Sequence, residues 1–456
     1  MRLFLISLIS VLSLISCDVI EIGFHKERTH LYTMLSMGTP PQPFRVLVDL
    51  SSFHLWLGNK TVSKTLGHVY DGQISSTYEE TSEQGVITTN QKGNEVLDLI
   101  SLGFRPDMES PTLSNKKFHF LLLNKVEPGP RGEGVLGLAR SYPGKIKWGK
   151  RNVDANPRFS LLHYLFTNKA IDHKSFSIKY LATDRGVIKF GDRENSFPSC
   201  KPNENENNAN GIYLRWNCPY YGMVLSNGTY IYNFGEDAPQ TVQFETVLDI
   251  VQLPEGPASQ LFVALQEFLG IECRTLLLKG KGKTMFCNSA MDIDRIPDFT
   301  LKVKGFDMTL PGKEFFEPYF DETMGKNGEH GYISKIFGNK NTNRVMRLGN
   351  CFLKYYKFVF DQETGSVSLG DFNDIFPKGT EGGNQRRFGP RGWRRRGFSG
   401  FSVFLIVVGV VLVMFGGFLL YRKRMLKRRK NFAEKSRIVS TKETFIEPIG
   451  KPMVDK

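Results

Sequence analysis

Two apolar runs in this chain each lead into a carboxylate: Val46-Leu-Val-Asp49-Leu-Ser-Ser-Phe-His-Leu-Trp56 and Thr246-Val-Leu-Asp249-Ile-Val-Gln-Leu-Pro-Glu-Gly-Pro257. A lone aspartate after a strand is usually a turn residue or an exposed strand end. Two in similar settings, about two hundred residues or one domain length apart, point to paired halves. Each half would then supply one carboxylate to a shared cleft, the arrangement that general acid–base chemistry requires. Asp49 and Asp249 are therefore the candidate catalytic residues.

The elements that must position them are mostly β. From residue 31 to residue 374 the pattern is short alternating strands with turn punctuation. Strands are predicted at 44–49, 176–180, 186–191 and 299–304, with turns at Gly191-Asp192 and at Gly305. Apolar residues at helical spacing predict one helix over 160–168 (Leu161, Leu162, Leu165, Phe166). A second is predicted over 258–269 (Leu261, Phe262, Leu265, Phe268). Residues 201–211 are polar, Asn-rich and loop-like.

The chain has 456 residues, long enough for two cores. Residues 1–17 combine Arg2, an apolar run and Ser16-Cys17, which reads as a secretory signal peptide. Residues 401–421 carry no charge and match the bilayer length, so one C-terminal transmembrane helix is expected there. The basic cluster from Arg422 to Lys430 fits a stop-transfer signal at the start of a cytoplasmic tail, 422–456. A Gly/Arg-rich stalk, 378–400, precedes the span. These features predict a single-pass type I membrane protein of the secretory pathway or cell surface, anchored by one helix.

Net charge is +14, yet residues 386–456 hold 18 of the 60 Lys/Arg and 4 of the 46 Asp/Glu. The remaining residues balance at 42 against 42, so the globular part has no excess charge to attract nucleic acid. Five cysteines follow the leader, all from residue 200 onward and so in the second of the paired halves. Pairing nearest neighbours gives Cys200–Cys218 and Cys273–Cys287 with Cys351 left over, although spacing alone does not choose among connectivities. No metal-ligand spacing is present, and no cofactor is implied. Asn59-Lys-Thr61 and Asn227-Gly-Thr229 are glycosylation acceptors if this side is luminal.

Together these segments resemble the pepsin-like aspartic peptidases over residues 32–374. The opening strand and turn, Tyr32-Thr-Met-Leu-Ser-Met-Gly38-Thr-Pro-Pro41, is similar to the family's. Asp49-Leu-Ser-Ser-Phe-His-Leu-Trp56 stands where the family has Asp-Thr-Gly-Ser-Ser-Asn-Leu-Trp. Ser75-Ser-Thr-Tyr-Glu79, Glu127-Pro-Gly129, Gly134-Val-Leu-Gly-Leu-Ala139 and Phe190-Gly-Asp192 follow in family order. Asp249 to Pro257, Ile296-Pro-Asp-Phe299, Leu348-Gly-Asn-Cys-Phe352 and Tyr355-Tyr-Lys-Phe-Val-Phe-Asp361 complete the series. The resemblance implies a mostly β, bilobal fold with lobes over 18–192 and 193–377. It also implies two aspartates that share one proton and activate a water against a peptide bond. Ser52, Trp56 and Thr89 become candidates to line the substrate cleft, with Trp56 better suited to the core.

Departures from the family pattern cluster at the site. Read as triplets, Asp49-Leu50-Ser51 and Asp249-Ile250-Val251 lack the threonines whose hydroxyls would brace the two lobes. Ser52 is left to bond Asp49. Thr89 falls where the family's flap carries a tyrosine, and Arg347 replaces an apolar residue. Only about fourteen residues separate the leader from Tyr32, with no basic propeptide. Three functions are then open. The first is a pseudopeptidase that holds a peptide or protein in its cleft with hydrolysis impaired or lost. The second is an active, atypical aspartic endopeptidase, and the third a type I surface receptor or scaffold. A monomer is expected in each.

Overall fold

The computed structural model describes residues 19–372, apart from 89–90, 104–115, 127–131, 142–144, 149–150, 155–156, 195, 203–214, 322–328 and 341–344. The predicted leader, stalk, span and tail, together with Thr89 and Glu127-Pro-Gly129, lie outside the described residues. Among the described residues no helix is long and apolar enough to cross a membrane.

Strands dominate, and their burial follows from alternation. In Phe306–Leu310 the residues Phe306, Met308 and Leu310 are buried while Asp307 and Thr309 face outward. Where a strand has partners on both sides its pattern becomes continuous. Leu55–Gly58 is buried throughout, lying between Phe118–Lys125 and Gly134–Gly137. The predicted strands appear as Gln42–Asp49, Ser175–Ala182, Arg185–Phe190 and Phe299–Val303. Gly191 and Gly305 both take φ values of the left-handed region, 82° and 102°, in the turns that follow.

Among the described residues two large sheets result, of 14 and 12 strands. The first begins with Ile20–Glu27 and His30–Met37, yet it takes back Tyr356–Asp361 and Val367–Phe372 from the far end of the chain. Tyr356–Asp361 pairs with Ser175–Ala182, so the halves are stitched by backbone hydrogen bonds. Trp216, fully buried, packs there against Phe176 and Phe360 and donates its Nε1 to the Leu138 carbonyl at 2.7 Å.

Both predicted helices form. Ser160 caps Leu161–Thr167 by accepting from the His163 N–H. The second runs Glu255–Leu269, three residues earlier than the periodicity predicts. Pro257 is tolerated in its first turn, where a missing N–H costs nothing. Leu261, Leu265 and Leu269 form its buried stripe, whereas Phe268 sits on the rim, 38% exposed.

The disulfides are Cys200–Cys218 and Cys273–Cys287, the nearest-neighbour pairing, and Cys351 is free and buried.

Candidate active site

The halves repeat one local design. In the first, strand Gln42–Asp49 runs parallel to Gly134–Gly137, with Asp49 opposite Gly137. The chain then loops, and Leu55 pairs antiparallel with Leu136. In the second, Gln240–Phe244 runs parallel to Val345–Leu348, and Val251 pairs antiparallel with Leu348. Gly137 and Gly349 mark the matching crossings. A Cβ on Gly137 would lie 2.5 Å from the Ser52 carbonyl oxygen and 2.6 Å from that of His54. On Gly349 it would lie 2.4 Å from Leu248 O and 2.6 Å from Ile250 O. Only glycine fits either crossing.

These pairings fix the correspondence between halves. Ser52 matches Leu248, His54 matches Ile250, and Leu55 matches Val251. Counting back along both loops, Leu50 matches Thr246 and Asp49 matches Glu245. Asp249 corresponds to Phe53. The sequence reading that made Asp249 the counterpart of Asp49 is corrected by this register. Thr246-Val-Leu resembles a strand because of its β-branched and apolar residues, but the second strand ends at Phe244 and the loop begins at Glu245.

The same register changes the account of the brace. Thr246 Oγ1 donates to the Val48 carbonyl at 2.6 Å and accepts the Leu50 N–H at 3.2 Å. Half of the cross-lobe brace is therefore present. The reciprocal half is missing, because Leu50 has no hydroxyl. Asn350, fully buried, supports the same loop by donating Nδ2 to Thr246 O at 2.6 Å and to Thr29 O at 2.9 Å.

The carboxylates have different surroundings. Asp49, half-buried, accepts from the Ser51 N–H at 2.7 Å and the Ser51 hydroxyl at 2.6 Å. The role expected of Ser52 thus belongs to its neighbour. Glu245 is buried, and its Oε1 accepts from Arg215 Nη1 at 2.7 Å, with Arg347 Nε 3.6 Å away. Asp249 Oδ1 accepts from Lys26 Nζ at 2.7 Å, a partly buried pair at 16% and 14% exposure. Near it, burial holds the His30 imidazole below its ordinary range, against the opposing pull of the Asp249 and Asp49 charges. One ring thus feels both aspartates, but the cation bound to Asp249 is Lys26.

Trp56 is 2% exposed and packs with Tyr32, Leu47, Leu121 and Val135, which makes it a core residue. Asn227 is exposed in a turn, while Asn59 is half-buried and accepts from Thr61 through its Oδ1. No group of metal-ligating residues occurs among the described residues. The sequence reading missed Lys26, Arg215, Glu245 and Thr246. Glu245 had a signal: it directly follows a strand whose alternate residues, Val242 and Phe244, are apolar, much as Asp49 ends one. The other contacts join residues far apart in the chain, which no local pattern records.

A family model described as eukaryotic aspartyl protease matches residues 30–372. The chain is 25% identical over 350 residues to pepsin II-2/3 of Oryctolagus cuniculus, covering 74% of this chain and 79% of that protein. It is 24% identical over 359 residues to pepsin A of Bos taurus, covering 75% and 84%. A probable vacuolar protease A of Trichophyton verrucosum matches at 24% over 365 residues, 74% of this chain and 77% of that one. The match spans both sheets and both glycine crossings, and the chain belongs to the eukaryotic aspartyl protease family.

Proposed function

We propose that this protein is a pepsin-like aspartic peptidase homologue that binds a peptide or protein segment in its cleft with peptide-bond hydrolysis impaired or lost. The observation that carries this is the pairing of Glu245 with Arg215. Two acids that share one proton need each other as partners. Glu245, in the second acid's place, instead meets a guanidinium that keeps its protons at any working pH. The missing Leu50 hydroxyl compounds the loss, since removing one preorganised donor at a catalytic site costs about a hundredfold or more in rate. Anchoring by residues 401–421, with the globular part outside the cytoplasm, belongs to the same proposal.

A second reading has one observation in its favour. Asp49 and Asp249 both act on the His30 ring, so an unusual acid pair using these two would define an active endopeptidase.

The deciding experiment incubates the purified full-length chain with a mixed peptide library between about pH 3 and pH 6, with new termini read by mass spectrometry. No cleavage, together with saturable peptide binding, is expected. Cleavage abolished by Asp49→Asn and by Asp249→Asn, but retained in Glu245→Gln, would replace the first proposal with the second. Protease treatment of sealed, cytoplasmic-side-out membrane vesicles tests the anchoring, and digestion of the globular part without detergent would refute it.

A further inference from the structure

The face that holds Glu245 has a polar composition that packing alone does not call for. Three neighbouring strands run Gln240–Phe244, Val345–Leu348 and Val251–Pro254, with Gln243 opposite Arg347 and Arg347 opposite Gln252. In-register residues on adjacent strands share a face, so these three side chains form one row. Their chain neighbours Val242, Phe244, Met346, Leu348, Val251 and Leu253 all turn the other way, into the core.

Two atoms of this row are buried without a hydrogen-bond partner among the described residues: Arg347 Nε and Gln252 Oε1. Beside the row, Arg215 Nη1 donates to both Gln243 Oε1 at 3.2 Å and Glu245 Oε1 at 2.7 Å. Two guanidinium groups therefore meet one carboxylate, and that carboxylate is closed in at 5% exposure. Arg347 remains 34% exposed and stands beyond hydrogen-bond reach of Glu245, at 3.6 Å. A planar guanidinium fork that is one-third exposed suits a carboxylate.

The geometry points to a carboxylate-recognition site at Arg347, flanked by Gln252 and Gln243, that takes an acidic side chain of a peptide bound in the cleft. It rests on the peptide-binding function proposed above and adds the chemical class of the ligand. Glu245 has a positioning role: it hydrogen-bonds Arg215, which also reaches Gln243, and pairs with Arg347 only at 3.6 Å, which leaves that guanidinium's hydrogen bonds for the ligand.

The test uses the full-length chain in detergent and immobilised octapeptide pools, with one fixed position as Glu, Gln, Lys or Leu and the others random. One set is C-terminally amidated and a second carries the free acid. The amidated Glu pool should be retained about tenfold better than the Gln pool, the size expected of one charge-assisted hydrogen bond. Arg347→Gln should erase that ratio, and Arg347→Lys should keep part of it. Gln252→Glu, which offers Arg347 an internal carboxylate while leaving every arginine in place, should also erase it. That second variant guards against a fold defect in the first.

An unchanged Glu-to-Gln ratio in both variants would overturn the proposal. So would a preference that follows only the free C-terminus. Binding of all pools with no Glu preference removes this inference and leaves the peptide-binding function standing. Binding of no pool removes both. Cleavage of a bound pool removes the loss of hydrolysis and leaves the acidic preference to be read from the same data.

Discussion

Leu50 and Thr246 occupy the same place in the two halves, and the Leu50 N–H bonds to the Thr246 hydroxyl at 3.2 Å. The loops carrying Asp49 and Glu245 are thus joined one residue beyond each carboxylate, by a brace that works in one direction only.

Thr246→Val should lower stability by about 2–4 kcal/mol, because it leaves the buried Leu50 N–H and Val48 carbonyl without their shared partner. Thr246→Ser keeps the hydroxyl and should cost under about 1 kcal/mol. Urea unfolding of the two variants checks the difference. Equal losses would show that the methyl contact, rather than the hydroxyl, holds the loops.

Lys26 and Asp249 lie 223 residues apart in sequence and form a partly buried ion pair. Lys26→Met and Asp249→Asn should each destabilise the fold. A double-mutant cycle should return a coupling of about 1–3 kcal/mol. Raising salt should change that coupling little, since a buried pair is weakly screened. A coupling near zero would mean the pair does not form in solution.

Burial holds the His30 imidazole below its usual value of 6.5, so the folded state binds this proton less tightly than the unfolded chain. Its contribution to stability is fully present above the unfolded value. It is lost as pH falls through the depressed folded one. Acidification from about pH 7.5 to about pH 5 should therefore destabilise the wild type more than His30→Asn. Denaturant midpoints at the two pH values supply the comparison, and an equal fall in both proteins would contradict the assignment.

Cys351 is buried and free, and burial with the nearby Asp249 charge raises its thiol pKa to about 12. Native protein at about pH 8 should leave Cys351 unmodified by iodoacetamide, and denaturant should expose it. Peptide mapping checks this directly. Labelling of Cys351 in the native state at the denatured rate would place the thiol in an open environment.

Much of the fold was legible in local pattern. Alternation in stretches such as Phe306 to Leu310 follows from a pleat with one wet face. The stripe of Leu261, Leu265 and Leu269 follows from the helical repeat. Cys200 with Cys218 and Cys273 with Cys287 were the short-loop pairings, and Asp49 was visible at the end of its strand. Such signals depend on residues a few positions apart, where spacing along the chain and position in space are nearly the same thing.

The second half of the site was decided only by tertiary pairing. Both Glu245 and Asp249 are acids preceded by apolar residues, and composition does not rank them. The crossings at Gly137 and Gly349 do, because a side chain at either would collide with backbone oxygens of the opposing loop and so fixes which residues correspond. Lys26 beside Asp249 and Arg215 beside Glu245 follow from how the sheets bring distant residues together. Sequence alone supplied the acids; the contacts that determine what each acid does formed only when the two halves folded together.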